Sequence, residues 1–311
     1  MNFQTVDYVI TVAEEKNISR AAERLHIAQQ TLSAHLASLE KELGCRLFER
    51  HVPLEITYAG EEFLKYAYII REQLIKMHHT FDAISGEEKG ILKVGITSNR
   101  GRTVLLPVIL DFRKKHPGIE LKIVEETNEV LVQKLEKGEI DIGISDFSAG
   151  HAGIKVEHFY REHVVFVVQR DLFCKIYGKN YKTIIRKIQE EGVYGLLKDC
   201  PLLLGHEQDV AGRLARKLIK TFDTPPVVTA EAQSMSLLLE MCVAGMGGCF
   251  CPDVIAERLL EEEKKKELLL LTLGRQAEYD IGIGWKTDWH LINSFVQAAH
   301  RQIKIITKDG S

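Results

Sequence analysis

Between residues 60 and 85 the apolar side chains Phe63, Ala67, Ile70, Leu74, Met77, Phe81 and Ile84 follow one another at alternating steps of four and three. That spacing draws one apolar stripe along a single helix and leaves Glu62, Lys65, Arg71, Glu72 and Lys76 off it. A helix of about 25 residues is about 40 Å long, more than a small neighbouring domain can cover. The seam Phe63, Ala67, Ile70, Leu74, Met77 and Phe81 is therefore expected to pair with a second copy of the chain. Packing against its own domain is the alternative. Ser85-Gly86-Glu87-Glu88-Lys89-Gly90 then breaks the periodicity and reads as a hinge.

Ahead of the seam, residues 1–58 read as three short helices and a small extended segment. Phe3, Val6, Ile10 and Ala13 form the first stripe, and Ser19 is the expected N-cap of a helix holding Ala21, Ala22 and Leu25. The third helix spans 29–43, with Leu32, Leu36, Leu39 and Leu43 inward and Gly44 as its C-cap. A short turn at His26 and Ile27 makes this a helix-turn-helix pattern. Gln29, Gln30, Thr31, Ser33, Ala34, His35 and Ala37 face outward, small or hydrogen-bonding groups of a kind that can enter a major groove. Charge does not separate that reading from an ordinary solvated helix. Lys16, Arg20, Arg24, Lys41, Arg46 and Arg50 are outnumbered by Asp7, Glu14, Glu15, Glu23, Glu40, Glu42, Glu49 and Glu55.

Behind the hinge, strand patterns alternate with helical ones: strand 91–97, helix 103–115, the turn His116-Pro117-Gly118, strand 119–125, helix 129–137 and strand 140–145. The order recurs at 201–205, 210–222, 227–231 and 234–244. This predicts two α/β lobes, each a parallel sheet with helices on both faces, and ligands at the carboxyl ends of the strands. A solvated helix over 257–267, strands 268–273 and 279–285 and a final helix 290–303 complete the pattern, with lobe crossings near Glu162 and Leu268. Thr97-Ser98-Asn99 between strand and helix, with Arg100 and Arg102 beside it, suits an anion such as a carboxylate, and equally suits a capping turn.

With 311 residues and a net charge of -3, bulk electrostatics advertise neither nucleic acid nor membrane, so any such partner is bound locally. No apolar run approaches the roughly 20 residues of a membrane span, and the first ten residues hold Asp7 and no basic region, so no secretory signal is expected. A cytoplasmic protein is expected. Cys45, Cys174, Cys200, Cys242, Cys249 and Cys251 lack metal-ligand spacing and read as reduced thiols. A redox switch at Cys200 would need a second thiol within disulfide reach, and none is apparent nearby in the sequence. No metal, cofactor or catalytic residue is expected.

The stretch Ile18-Ser19-Arg20-Ala21-Ala22-Glu23-Arg24-Leu25-His26-Ile27-Ala28-Gln29-Gln30-Thr31-Leu32-Ser33 closely resembles the LysR-type transcriptional regulators. So do Leu39-Glu40-Lys41-Glu42-Leu43-Gly44-Cys45-Arg46-Leu47-Phe48-Glu49-Arg50 and Thr57-Tyr58-Ala59-Gly60. The resemblance implies an α/β chain with a mostly helical winged helix-turn-helix in front, a long linker helix, and a two-lobed effector domain of the periplasmic-binding-protein type. It implies a DNA-binding domain at 1–59, a dimerisation helix and hinge at 60–90, lobe I at 91–162, lobe II at 163–267 and a return to lobe I at 268–311. Double-stranded promoter DNA, a small effector such as a carboxylate or other anion, and assembly of homodimers into a homotetramer follow as expected partners.

By position, the resemblance makes Gln29, Gln30 and Ser33 groove-facing, with Thr31 and His35 close by, and Arg20, Arg24, Arg46 and Arg50 backbone clamps. Surface ion pairs, for Arg24 with Glu23 or Glu40, are the alternative for the arginines. For the cleft it implies Thr97, Ser98, Asn99 and Arg100 on the first loop, Ser145 and Asp146 at a strand end, and His206, Ser234 and Met235 on the second lobe, near Gln208 and Gln233. Three positions depart from the family pattern. Ala28 replaces a hydroxyl N-cap, Ala34 a long polar residue, and the wing at 51–56 is one residue short and without Lys or Arg. A solute-binding protein, or an enzyme in the same cleft such as a dehydratase, are the rival readings. The helices ahead of the lobes argue against the first, and the lack of a nucleophile, metal or paired-acid pattern against the second.

Overall fold

In the computed structural model, which describes residues 2–49, 51, 54–85, 90–147, 151 and 153–308, helix α1 (Phe3–Glu15) starts at Asn2, whose side chain accepts from the Thr5 amide at 2.9 Å. Helix α2 (Ile18–Arg24) is capped by Asn17, not by Ser19, which lies inside its first turn. An amide oxygen one residue outside the helix reaches the free N–H groups, and a hydroxyl already within the turn does not. His26 makes the following turn in the left-handed region, at φ 54°, and α3 (Gln29–Leu43) ends at Gly44 with φ 72°. The core joins Tyr8, Val9 and Val12 of α1 to Ala21 and Ala22 of α2 and Leu32, Leu36 and Leu39 of α3. Phe3 and Leu43, expected on the inner stripes, are exposed, because the helices end beyond the reach of that small core.

The wing strands β1 (Phe48–Glu49) and β2 (Glu55–Ile56) pair antiparallel, Phe48 opposite Ile56. Glu40 on α3 anchors them by accepting from the Leu47 and Phe48 amides at 2.9 and 3.3 Å. Helix α4 (Tyr58–Ser85) leaves the wing at Gly60, where a Cβ would lie 2.2 Å from the Leu47 carbonyl oxygen, so only glycine fits that approach. The first half of the seam is spent within the chain. Ala67 is 1% exposed against Val6 and Ile10 of α1, with Phe63, Leu64, Tyr68 and Ile70 around them. Met77 and Phe81, further along, are 45% and 62% exposed. These elements belong to the first of two units, Met1–Glu88; the second is Lys89–Ser311.

The second unit carries, in chain order, β3 (Gly90–Ile96), α5 (Ser98–Arg100), a π-type turn (Gly101–Leu105), α6 (Leu106–Lys115), β4 (Ile119–Glu125), α7 (Asn128–Glu136) and β5 (Ile142–Ser145). Then come β6 (Lys155–Gln169), α8 (Arg170–Tyr177), α9 (Tyr181–Gln189), β7 (Leu202–Gly205), α10 (Val210–Ile219), β8 (Val228–Ala232), α11 (Met235–Val243) and β9 (Gly248–Pro252). Helices α12 (Asp253–Leu259) and α13 (Glu262–Lys266), strands β10 (Leu268–Thr272) and β11 (Glu278–Trp285), and α14 (His290–Lys308) close the chain. The strands run β4-β3-β5-β11-β6-β9-β7-β8, with β10 also on β6.

Three expectations are corrected. The sheet is mixed rather than parallel: β3 is parallel to β4 and β5, and β7 to β8 and β9, but β6 and β11 run antiparallel to their neighbours. The long β6 enters on one core, beside β11, and leaves on the other, beside β9 and β10. The second crossing lies after Ala277, not near Leu268, because β10 still pairs with the far half of β6 and Leu268, Leu269, Leu271, Leu273 and Ala277 are buried in the second core. The single helix expected over 257–267 breaks at Leu260, whose side chain is 8% exposed and turns into the same core. Among the described residues no helix is long and apolar enough to cross a membrane.

Candidate functional site

Two surfaces carry the expected residues, one in each unit. In the first, the amino end of α3 presents Gln29, Gln30, Thr31 and Ala34 to solvent, with Ser33 half-buried behind them. The three leucines on the opposite side fix which face is free. No side chain caps α3 at Ala28. Ser19 instead donates to Gln29 Oε1 at 3.2 Å, which holds that carboxamide. His35 sits edge-on against Tyr8 at 5.2 Å between centroids, so it packs on α1 and its ring is only half available outside.

Two of the four arginines are already engaged. Arg24 pairs with Glu14 and Glu15 at 2.8 and 3.0 Å, not with Glu23 or Glu40, and Arg20 donates to the Glu15 carbonyl at 2.6 Å. The end of α1 lies beside α2, which puts its two acids nearer than any on α2 or α3. Arg46 is exposed, and its carbonyl accepts from Thr57 Oγ1 at 2.7 Å. Arg50 lies outside the described residues, as do Val52 and Pro53 of the wing and residues 86–89 of the hinge.

In the second unit a cavity of about 490 Å³ opens at the strand ends. Thr97, Ser98 and Asn99 line it from one lobe, His206, Gln208, Gln233 and Ser234 from the other. Helix α5 begins at Ser98, earlier than the sequence pattern suggests, so this loop is itself the first turn of a helix. Asn99 reaches across: its Nδ2 donates to Asp209 Oδ2 and its Oδ1 accepts from the Met235 amide, both at 3.4 Å. Ser234 caps α11 through the Leu237 amide and meets Ser236 at 2.9 Å.

Four expected ligands, Arg100, Ser145, Asp146 and Met235, are not on the cavity wall. Arg100 is 4% exposed and donates to both oxygens of Glu162, at 2.8 and 2.7 Å, and to Thr97 Oγ1 at 2.8 Å. Burial opposes charge on both partners, yet each guanidinium–carboxylate contact favours it, and the Glu162 carboxyl is held below its ordinary range. The guanidinium expected to meet an anionic effector is thus committed inside the protein. Ser145 is fully buried and donates to Asn128 Oδ1 at 2.8 Å. Met235 is 2% exposed and joins the second core. Asp146 accepts from Arg213 Nη2 at 3.4 Å.

Sequence reasoning missed Glu125, Glu126, Thr127, Asp209, Ser236 and Leu259, all on the cavity wall. Glu125 ends β4 and Glu126-Thr127 follow it directly, so the strand-end rule applied to β3 and β5 also reaches them. The buried thiols are not activated. Burial pushes Cys200 up to about 12, a hydrogen bond with Cys242 and then burial raise Cys249, and Cys242 donates to the Val167 carbonyl at 3.2 Å. Among the described residues no group of His, Cys, Asp and Glu is placed to hold a metal ion.

Comparison with known proteins matches both units. Residues 3–61 fit the bacterial regulatory helix-turn-helix protein, lysR family, and residues 85–303 fit the LysR substrate binding domain. The HTH-type transcriptional regulator AlsR of Bacillus subtilis is 31% identical over 158 residues, 50% of this chain and 52% of that one. IlvY of Escherichia coli, a regulator of the same type, is 22% identical over 284 residues, 91% of this chain and 92% of that one. Full-length OxyR C199D from Pseudomonas aeruginosa has a similar fold, at TM-score 0.70 and 23% identity, over 96% of this chain and 94% of that one.

Proposed function

The chain belongs to the LysR family of DNA-binding transcriptional regulators, and from that premise we propose that it reads operator DNA with the amino end of α3 and answers to a small molecule held in the 490 Å³ cavity. The carrying observation is the free face at Gln29, Gln30 and Thr31, backed by three buried leucines. A carboxamide there can pair with both hydrogen-bonding positions of an adenine edge, and the hydroxyls with base edges or phosphate. Arg20 and Arg24 contribute to the duplex backbone only by leaving Glu14 and Glu15, so Arg46 is the better clamp. Gln29 and Gln30 supply specificity, with Ser33 behind them.

The dimer forms along the outer half of α4. Met77 and Phe81 continue the seam beyond the part that α1 covers, and Tyr66 and Ile69 widen it, at 67% and 53% exposed. Pairing of such dimers into a tetramer spaces the DNA-binding heads. An effector that favours one assembly geometry over another then changes how the operator is held. The cavity wall around Thr97, Ser98, Asn99, His206 and Ser234 is where the two lobes meet that molecule. Selection of bound fragments from genomic DNA, with and without a metabolite pool, tests the whole reading. A recovered sequence whose occupancy shifts with the pool supports it, and the absence of any preferred sequence overturns it.

A further inference from the structure

The cavity wall departs from an ordinary small-molecule pocket in its chemistry. Such pockets are lined mainly by apolar and aromatic side chains with a few polar groups, but here, among the described residues, Leu259 is the one apolar side chain on the wall. A bound molecule meets hydroxyls, carboxamides and carboxylates there, set among the methyl and methylene groups of the same side chains. The charges point the same way. Glu125, Glu126 and Asp209 face Arg102 as the one permanent cation on the wall, and the buried guanidinium of Arg100 below is neutralised by Glu162.

Asp209 is the acid of the three whose charge burial opposes. It occupies the N-cap position of α10, yet its side chain makes no capping bond; it is half-buried and accepts one long hydrogen bond, from Asn99 at 3.4 Å. Burial raises its carboxyl above the ordinary value in spite of Arg100, His206 and Arg213 nearby. Glu126 is half-buried at the opposite strand end. Glu125 lies over Gly101 at the start of the π-type turn after α5, where an added Cβ would come within 2.7 Å of its Oε1.

We propose that the effector is a small hydrophilic molecule bearing a protonated amine or guanidinium, which docks among Asp209, Glu126 and Glu125 while Ser98, Gln208 and Ser234 hydrogen-bond its remaining polar groups. This rests on the cavity being the effector site, and it replaces the anion expected from Arg100. A positive group in the cleft adds a charged partner for these acids and lets both lobes hold one molecule, Glu125 and Glu126 from the first and Asp209 from the second.

The test is calorimetric titration of the full chain with putrescine, agmatine and L-ornithine, and with succinate and benzoate as anionic probes. Saturable binding of a cationic probe, weakened about tenfold or more in Asp209→Asn and Glu126→Gln, is expected, since each loses a charged hydrogen-bond acceptor. Both substitutions keep shape and volume, and an unchanged thermal midpoint or a higher one shows that the fold is retained. Failure of all three cations up to about 10 mM, above the roughly 1 mM range of weak specific binding, overturns the proposal. Binding of succinate or benzoate alone also overturns it and leaves the effector site standing. The effector reading itself falls only if a metabolite pool also leaves the occupancy of the selected DNA unchanged.

Discussion

Arg100 and Glu162 face each other through two hydrogen bonds of 2.8 and 2.7 Å, with side chains 5% and 0% exposed. Glu162 stands opposite Tyr279 where β6 and β11 pass from one lobe to the other. The Tyr160 hydroxyl donates to its Oε1 at 2.5 Å and the Tyr279 hydroxyl to its Oε2. The residue before Arg100 is Asn99, which holds the starts of α10 and α11. One helical turn therefore rests on the crossing strands with one side chain and on the second lobe with the next. Whatever displaces Asn99 from Asp209 acts on a segment whose other contact is the crossing itself.

Arg100→Met leaves Glu162 buried without its partner, and the expected loss is about 3–5 kcal/mol of unfolding free energy. The paired substitution Arg100→Met with Glu162→Met removes both charges, so it should lose much less than the sum of the singles. Urea denaturation of the four chains measures this. Additive losses would mean that the two side chains are stabilised independently.

The same carboxylate carries a pH dependence. Its folded value lies below the ordinary 4.5 because Arg100 and the two tyrosines outweigh burial. The stabilisation is complete above the ordinary value and is lost as the pH falls below it toward the folded one. As the pH falls below that ordinary value, the stability of Glu162→Gln should fall less steeply than that of the unaltered chain. Parallel acid-unfolding curves would contradict it.

Asp209 has the opposite sign. Its carboxyl is raised in the folded chain, so ionisation near neutral pH works against folding, and the penalty is relieved as the pH falls. Asp209→Asn should therefore raise the thermal midpoint of the effector-free protein at neutral pH. A lowered midpoint would mean that the carboxylate is a structural support.

For the first unit, Gln29→Ala should cost about 1–3 kcal/mol on the selected operator and little on random DNA. Arg46→Ala should weaken both alike and reduce the salt slope by about one. Binding isotherms at several salt concentrations separate the two. Equal losses on both DNAs with unchanged slopes would reverse the assignments.

Much of this architecture was legible because periodicity reports burial. Leu32, Leu36 and Leu39 had to share a face, and the alternation behind the hinge had to give strands and helices. What was not legible depended on partners distant in sequence. Arg100 has the same local setting whether it meets an effector or Glu162, sixty-two positions away. Ser145 is capped by Asn128 from another element. The antiparallel direction of β6 follows from where the chain crosses between cores, which no local pattern records. The acids at Glu125 and Glu126 were visible, but their position beside the cavity required knowing that β4 ends at the same rim as β3.

The long helix gives the sharpest separation between packing inside one chain and packing between two. Phe63, Ala67 and Ile70 are used by α1 and its neighbours, whereas Met77 and Phe81 remain exposed. A carboxylate at position 67 would be buried without a partner, so Ala67→Asp should unfold the first unit. Met77→Asp and Phe81→Asp place the same charge where only a second copy would bury it, and should leave the thermal midpoint of dilute protein nearly unchanged while dissociating the oligomer. Sedimentation of the three variants distinguishes these outcomes. An unaltered mass for both Met77→Asp and Phe81→Asp would remove the outer half of α4 from the interface.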